Sequence, residues 1–445
     1  MTKQADQRGG SKEDYDVIVI GAGPAGLMAG GVAAKRLSGT GAKVLILEHG
    51  NTPGQKLSIT GGGRCNITNA IGRNDTRALL EHYGEAAKFL HAPFAQFSVQ
   101  DTFTFFEKHG LPLVTEARQR VFPKTQSASD VVDTMVTFAT SNGAEIMTGV
   151  SVKRFYIAGE EEESTGEVVA IETSIGKMHA KKFILATGGP AKRRDKDGVA
   201  RSSKLVAIGF DMLEGIGHNV HKPKHTLVPL KSNAKWVHAL AGVAPSFMTV
   251  RFKQNGKIFL TKTGKVLFTH FGLSGPLIIN ASYEVGKYLE AGPIAASIDL
   301  FPDTDHQALD KRLLKLFDAS KNKQVKNVFT DIVEEKIATT VLKLSGIKLE
   351  EQVNNIHKED RKKLVHTLKD LVVPIVSTMG PERAVLGGGG VELTEVDFKT
   401  MSSKLHDNVY IVGDLLNIVR PSGGYSLQLC WTTATVAGRA ASEAV

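Results

Sequence analysis

Glycines at positions 21, 23 and 26, spaced G-x-G-x-x-G, and a glutamate at position 48 are the first residues whose types and spacing point to chemistry. Such glycines let the main chain turn tightly and approach a pyrophosphate, and an acid about twenty residues on can bind ribose hydroxyls. Gly21 permits the turn, Gly23 lets the backbone reach the phosphates, and Gly26 lets helix and strand pack closely. Pro24 is tolerated in the first helical turn, where its missing donor is not needed. The alternative is a glycine-rich turn without a ligand. A second stretch, LSITGGGRCNITN at residues 57–69, places Gly61, Gly62 and Gly63 before Arg64, Cys65 and Asn66. Runs of glycine are kept where a ligand or another segment comes close to the main chain. Lys56 and Arg64 can offset phosphate charge, Arg64 in bidentate fashion. Cys65 is either a small buried hydrophobe or a proton donor. His270, in LFTHFGLSGP with Ser274, is either an acid or base near neutral pH or a hydrogen-bonded structural histidine. Arg120, in RVFP, either holds a substrate carbonyl or phosphate or makes a buried ion pair.

These residues need elements to position them. Residues 17–20 form a short apolar run suited to a buried parallel strand, and the alanine-rich continuation suits a helix. KVLILE is a second apolar strand ending at Glu48. Residues 151–190 read as three β-segments, with acidic residues 160–163 at a solvated hairpin tip and the last strand stopping at Thr187, Gly188 and Gly189. NVYIVGDLLN is another strand, ending in Gly413 and Asp414. RPSGGYSLQLCWTTATVAGRAA then suits a glycine turn into a helix, with Cys430 in its core face. Between these parts, residues 190–301 carry strand-like runs and turns such as Asn255-Gly256. Residues 305–369 show helical spacing, with Leu309, Leu313, Leu314 and Phe317 on one face.

A chain of 445 residues exceeds the size at which one core stops growing, so two or three domains are expected. The start is polar and mixed in charge, without the apolar centre of a secretory signal, and no stretch has the length of a membrane span. A cytoplasmic location is the expectation. Cys65 and Cys430 are the only cysteines, which argues against a disulfide scaffold, a structural zinc or a dithiol redox centre. No metal is expected. The net charge of +9 is uneven: residues 181–231 hold eleven Lys/Arg against four Asp/Glu. That stretch, with Lys192, Arg193, Arg194, Lys196, Lys222 and Lys224, is either a solvated basic face or a contact for a polyanion.

The pairing of a Thr-Gly strand end with a Gly-Asp strand end resembles the two-dinucleotide-fold flavoproteins, which makes FAD the expected cofactor. KLSITGGGRCNITN, RVFPKTQSASDVVD, LFTHFGLSGP and GGYSLQLCW together resemble the BaiN/YhiN-like family of NAD(P)/FAD-dependent oxidoreductases. The resemblance implies an α/β fold: a Rossmann-like FAD-binding domain with an inserted β-rich domain and a helical domain. The boundaries expected are a disordered tail at 1–14, the FAD-binding domain at 15–190 plus 375–445, the β-rich insert at 191–301 and the helical domain at 302–374. FAD contacts are expected from Gly21, Gly23, Pro24, Ala25, Gly26, Glu48, His49, Lys56, Gly61, Gly62, Gly63, Arg64, Cys65, Asn66 and Val150. Further contacts are expected from Thr187, Gly188, Gly189, Gly413, Asp414, Gly424, Tyr425 and Ser426. Catalytic roles fall to Cys65, His270 and Arg120. Family activities include reduction of conjugated C=C bonds in steroid-like enones, oxidation of a small aminoketone, and reduction of a uridine in large-subunit ribosomal RNA. No second strand-GxGxxG-helix unit follows, so NAD(P)H is expected to dock transiently as donor. Reduction of ribosomal RNA uridine is the favoured reading. A small-metabolite oxidoreductase and a non-catalytic FAD-stabilised binding protein are the alternatives. One departure stands out: relatives carry an Asp-Val-Asp-Gly-like stretch before Gly-Gly-Tyr, and this chain has Asn417, Ile418, Val419 and Arg420 there.

Overall fold

The apolar run before the first glycine turn becomes strand β1, Tyr15–Ile20, buried on both faces as a parallel strand between neighbours must be. The computed structural model describes residues 2–4, 15–159, 166–189, 208–221, 228–245, 247–379 and 389–443. Helix α1, Pro24–Arg36, follows β1, and strand β2, Val44–Glu48, lies parallel beside it. Helix α2, Ala128–Ser141, leads into strand β3, Glu145–Thr148, which pairs with the other edge of β2. The long strand β4, Gly176–Leu185, joins two patterns. Its first residues pair antiparallel with Val168–Thr173, which in turn pairs with Val152–Ile157, and its last residues run parallel to β1. Strand β5, Val409–Ile411, adds to the far side of β4, and helix α3, Tyr425–Ala441, closes the unit.

The glycines and alanines of α1 explain how tightly these layers pack. A Cβ at Gly30 would lie 2.4 Å from the Ile46 side chain, and one at Gly438 of α3 would lie 2.5 Å from the Ala29 carbonyl. Bulkier residues would push the two helices apart and off the sheet.

The chain divides into two compact units, residues 1–224 with 387–445, and residues 225–386. In the second, a four-stranded antiparallel sheet runs in the order Lys257–Gly264, Met248–Gln254, Ile294–Asp299, Leu371–Ile375. Its Val250, Phe252 and Ile298 share one core with Leu309, Leu313, Phe317, Leu364 and Leu368 of the helices. The expected boundary at residue 301 is therefore corrected: the β-rich and helical segments form one unit, because the helices bury their apolar stripes on the sheet. Leu314, expected on the buried face, is 41% exposed; five residues after Leu309, it has rotated off the stripe. Residues 208–221, expected in the insert, belong to the first unit, where Val220–His221 pairs with Gly390–Val391. Of the expected disordered tail at 1–14, Thr2–Gln4 pairs in parallel with β3, and the other residues lie outside the described ones. The hairpin tip at 160–163 and the cluster from Lys192 to Lys224 lie outside the described residues. Among the described residues no helix is long and apolar enough to cross a membrane, and no His/Cys/Asp/Glu group could hold a metal.

Candidate functional site

The first unit gathers its chemistry where the parallel strands end. Gly21 leaves β1 at φ 107°, donating its N–H to Leu47 O at 2.8 Å. Ala22 then donates to Glu48 Oε2 at 3.0 Å. Gly23 is the N-cap of α1, and no side chain caps that helix. Pro24 has no donor, so the Ala25 and Gly26 amides are left at the positive end of the helix without intrahelical acceptors. The two glycines differ in purpose. A Cβ at Gly26 would fall 1.7 Å from Gly21 O, whereas one at Gly23 would meet no heavy atom within 4 Å. Gly26 serves packing; Gly23 faces open space.

Glu48 is 8% exposed and accepts from three donors: Ala22 N, Gly50 N at 2.8 Å and His49 Nδ1 at 2.9 Å. Burial alone would raise its pKa, but these hydrogen bonds outweigh burial and hold the carboxyl below the usual glutamate range. Oε2 accepts one bond here and keeps a free lone pair for a hydroxyl. Val150 closes the strand end by donating to Glu48 O at 3.0 Å, which consumes its amide.

At the end of β4, Gly188 and Gly189 lie between two charged side chains. A Cβ at Gly188 would be 3.6 Å from Lys56 Nζ, and one at Gly189 would be 3.3 Å from Asp414 Cβ. Asp414 Oδ1 accepts from Ser426 at 3.1 Å and from Arg420. Gly413 donates to Thr433 Oγ1 at 3.1 Å. The last helix starts at Gly424, in left-handed conformation, and a Cβ there would lie 2.3 Å from the Thr68 carbonyl. Tyr425 follows, its phenol pushed up to about 12 by burial and its carbonyl accepting from Tyr83 OH at 2.8 Å. Thr187 Oγ1 and Asn66 Oδ1 are buried without a partner among the described residues.

Residues 15–440 match the family model described as HI0933-like protein Rossmann domain. The chain belongs to the HI0933-like family. It is 28% identical over 427 residues to the 3-dehydro-bile acid delta(4,6)-reductase of Clostridium scindens, covering 96% of this chain and 98% of that one. It is 27% identical over 426 residues to the ribosomal RNA dihydrouridine synthase of Escherichia coli K12, covering 95% and 96%. Among solved structures, a flavocytochrome c3 fumarate reductase superposes with a TM-score of 0.52 at 16% identity, over 98% of this chain and 79% of that one. The 3-ketosteroid delta1-dehydrogenase of Sterolibacterium denitrificans gives 0.51 at 12% identity, over 97% and 100%. The last two show the shared fold. This HI0933-like chain is an FAD-dependent oxidoreductase with a Rossmann-like FAD-binding domain.

The site fits FAD. The unused α1 amides and the open space over Gly23 suit a pyrophosphate, and Glu48 suits a ribose hydroxyl. Asp414 Oδ2 has no partner among the described residues and can accept from a further hydroxyl.

Two expected roles, those of Arg64 and Cys65, are corrected within the HI0933-like fold. Arg64 turns away from phosphate duty: it pairs with Glu116, donates to Gln126 Oε1 and stacks 4.2 Å from the Phe122 ring centroid. Cys65 is 0% exposed, so it cannot touch a flavin ring. Burial also pushes its thiol up to about 12, which makes it a poor proton donor. Its backbone at φ 59° ends the glycine loop instead. Arg120 makes no buried ion pair among the described residues; it is half-buried, bonds Ala117 O at 3.2 Å and lies 5.6 Å from Phe122. His270, in the second unit, is exposed on the turn between Leu267–Thr269 and Gly272–Ser274. Gly62 and Gly63 are open to approach, since a Cβ at either would meet no heavy atom within 4 Å.

Spacing gave no hint of a Ser403–His218–Glu395 chain, with His218 Nε2 2.9 Å from Ser403 Oγ and its Nδ1 2.8 Å from Glu395. The connectivity is that of a hydrolase triad, yet the His218 side chain is 0% exposed. Ser403 Oγ also accepts from the Leu405 and His406 amides at 3.0 Å. It is a brace, not a nucleophile.

Proposed function

We propose that this chain reduces a C=C bond conjugated to a carbonyl, with NAD(P)H as donor and a uridine of large-subunit ribosomal RNA as substrate. The reading rests on one observation: the chain matches almost end to end with relatives named for such reductions, the bile acid reductase and the ribosomal RNA dihydrouridine synthases of E. coli and Haemophilus influenzae. The net charge of +7 across residues 181–231 favours RNA over a small enone. FAD bound here and reduced by NAD(P)H would supply the hydride. The chain orients it through the α1 amides, Glu48 and Asp414, with Lys56 Nζ close to Gly188 offsetting phosphate charge. Arg120 steadies negative charge gathering on the carbonyl oxygen. With Cys65 withdrawn, His270 is the proton donor to test, and His270→Asn should slow turnover by at least about a hundredfold, the low end for a lost general acid. The bile acid reductase supports the second reading, a small conjugated ketone as substrate.

RNA binding separates the two. If the basic stretch holds phosphates, affinity for large-subunit ribosomal RNA falls steeply with salt, and charge reversal at Arg193 and Arg194 flattens that slope while sparing flavin reduction. Turnover indifferent to salt and to those substitutions supports the small ketone instead.

A further inference from the structure

The Arg420 guanidinium is buried, its side chain 1% exposed, and it lies in the stretch 417–420, where an Asp-Val-Asp-Gly-like run was the expectation. It donates to Asp414 Oδ1 through Nη2, to the Ile418 carbonyl through Nη1, and to Ser426 Oγ at 3.3 Å through Nε. Ser426 in turn donates to the same Asp414 oxygen. All three faces of the guanidinium fork are thus spent on one short segment, and Oδ1 is fully engaged. Asp414 itself is 29% exposed and its Oδ2 is free among the described residues.

We propose that Arg420 is a positioning residue for the cofactor: it fixes the Asp414 carboxylate with Oδ1 turned inward and Oδ2 presented to an FAD hydroxyl. Its charge also offsets that of Asp414, so the Gly413–Asp414 turn carries no uncompensated carboxylate. Arginine suits this task because its planar fork is charged at every working pH and binds a carboxylate and a carbonyl together. A carboxylate held this way needs no reorganisation when FAD arrives, so less of the binding energy is lost to ordering. Reduction adds negative charge to the flavin, and a carboxylate offset by Arg420 opposes the reduced state less than a bare one would. The proposal rests on FAD lying along that turn.

The test compares wild type, Arg420→Lys, Arg420→Gln, Asp414→Asn and the double variant Arg420→Gln/Asp414→Asn. FAD affinity of the apo proteins, thermal midpoint, and the midpoint potential of the bound flavin are measured for each. Arg420→Gln should weaken FAD binding at least about tenfold, the low end for a hydrogen bond to a charged group, and lower the potential. Arg420→Lys keeps the charge, so it should restore the potential while recovering only part of the affinity. In the Arg420→Gln background, Asp414→Asn should add little, because the two act as a unit. The double variant buries no unpaired charge and provides a folded reference should Arg420→Gln unfold. Wild-type FAD affinity and potential in Arg420→Gln, with only its thermal midpoint lowered, would make Arg420 a folding residue and overturn the proposal. Undiminished affinity in Asp414→Asn alone would instead show that FAD does not use this turn, removing the premise.

Discussion

Glu48 Oε2 accepts the Ala22 amide hydrogen at 3.0 Å, so the acid that ends β2 is tied to the glycine turn that ends β1. The ribose end and the pyrophosphate end of the dinucleotide site are thereby built as one piece. Loss of that carboxylate should loosen both.

Glu48→Ala should weaken FAD retention by roughly 10–100-fold, following from about 1.5–3 kcal/mol for a charge-assisted hydrogen bond. Acid should act the same way. The folded carboxyl is held below its usual value, so its contribution is present above 4.5 and is lost as pH falls through the lower folded value. FAD release followed by fluorescence against pH checks this, and in Glu48→Gln the acid step should disappear.

Gly23→Ala and Gly26→Ala should fail for different reasons. At Gly23 the backbone is at φ −78° and a methyl meets nothing, so the variant should fold with an unchanged thermal midpoint but bind FAD poorly. At Gly26 the methyl would collide with Gly21 O at 1.7 Å, so the variant should unfold or express as aggregate. Circular dichroism and flavin content on both proteins decide it.

The contrast follows what a sequence can carry. The strand–glycine–helix unit and the acid at 48 are local patterns, and the structure places them together at the strand ends. Arg64 misled because the guanidinium fits phosphate and carboxylate equally, and its partner, Glu116, lies 52 residues away. Cys65 misled because a thiol serves as hydrophobe or acid, and only burial distinguishes them. The boundary at 301 failed because an apolar helical stripe does not name the surface that covers it; here that surface is the sheet of the same unit. Arg420 was visible as a departure, but its burial against Asp414 needed the folded turn.

Cys65→Ala should keep FAD and turn over within about threefold of wild type, since the thiol is buried and resists ionisation. The native thiol should ignore alkylating reagents at pH 8 and react once the protein is unfolded. A hundredfold loss of turnover with FAD retained would return Cys65 to the chemistry.

The most direct test of the proposed activity supplies the FAD-loaded protein with NAD(P)H and large-subunit ribosomal RNA from a strain lacking the gene. Mass spectrometry of the nuclease-digested RNA then reads the product. The account predicts a mass gain of about 2 Da on a uridine-containing fragment, dependent on FAD and donor, because the cofactor's hydride and one proton saturate the C=C bond. Unchanged RNA, alongside flavin reoxidation by a 3-oxo steroid with a conjugated double bond, would contradict it.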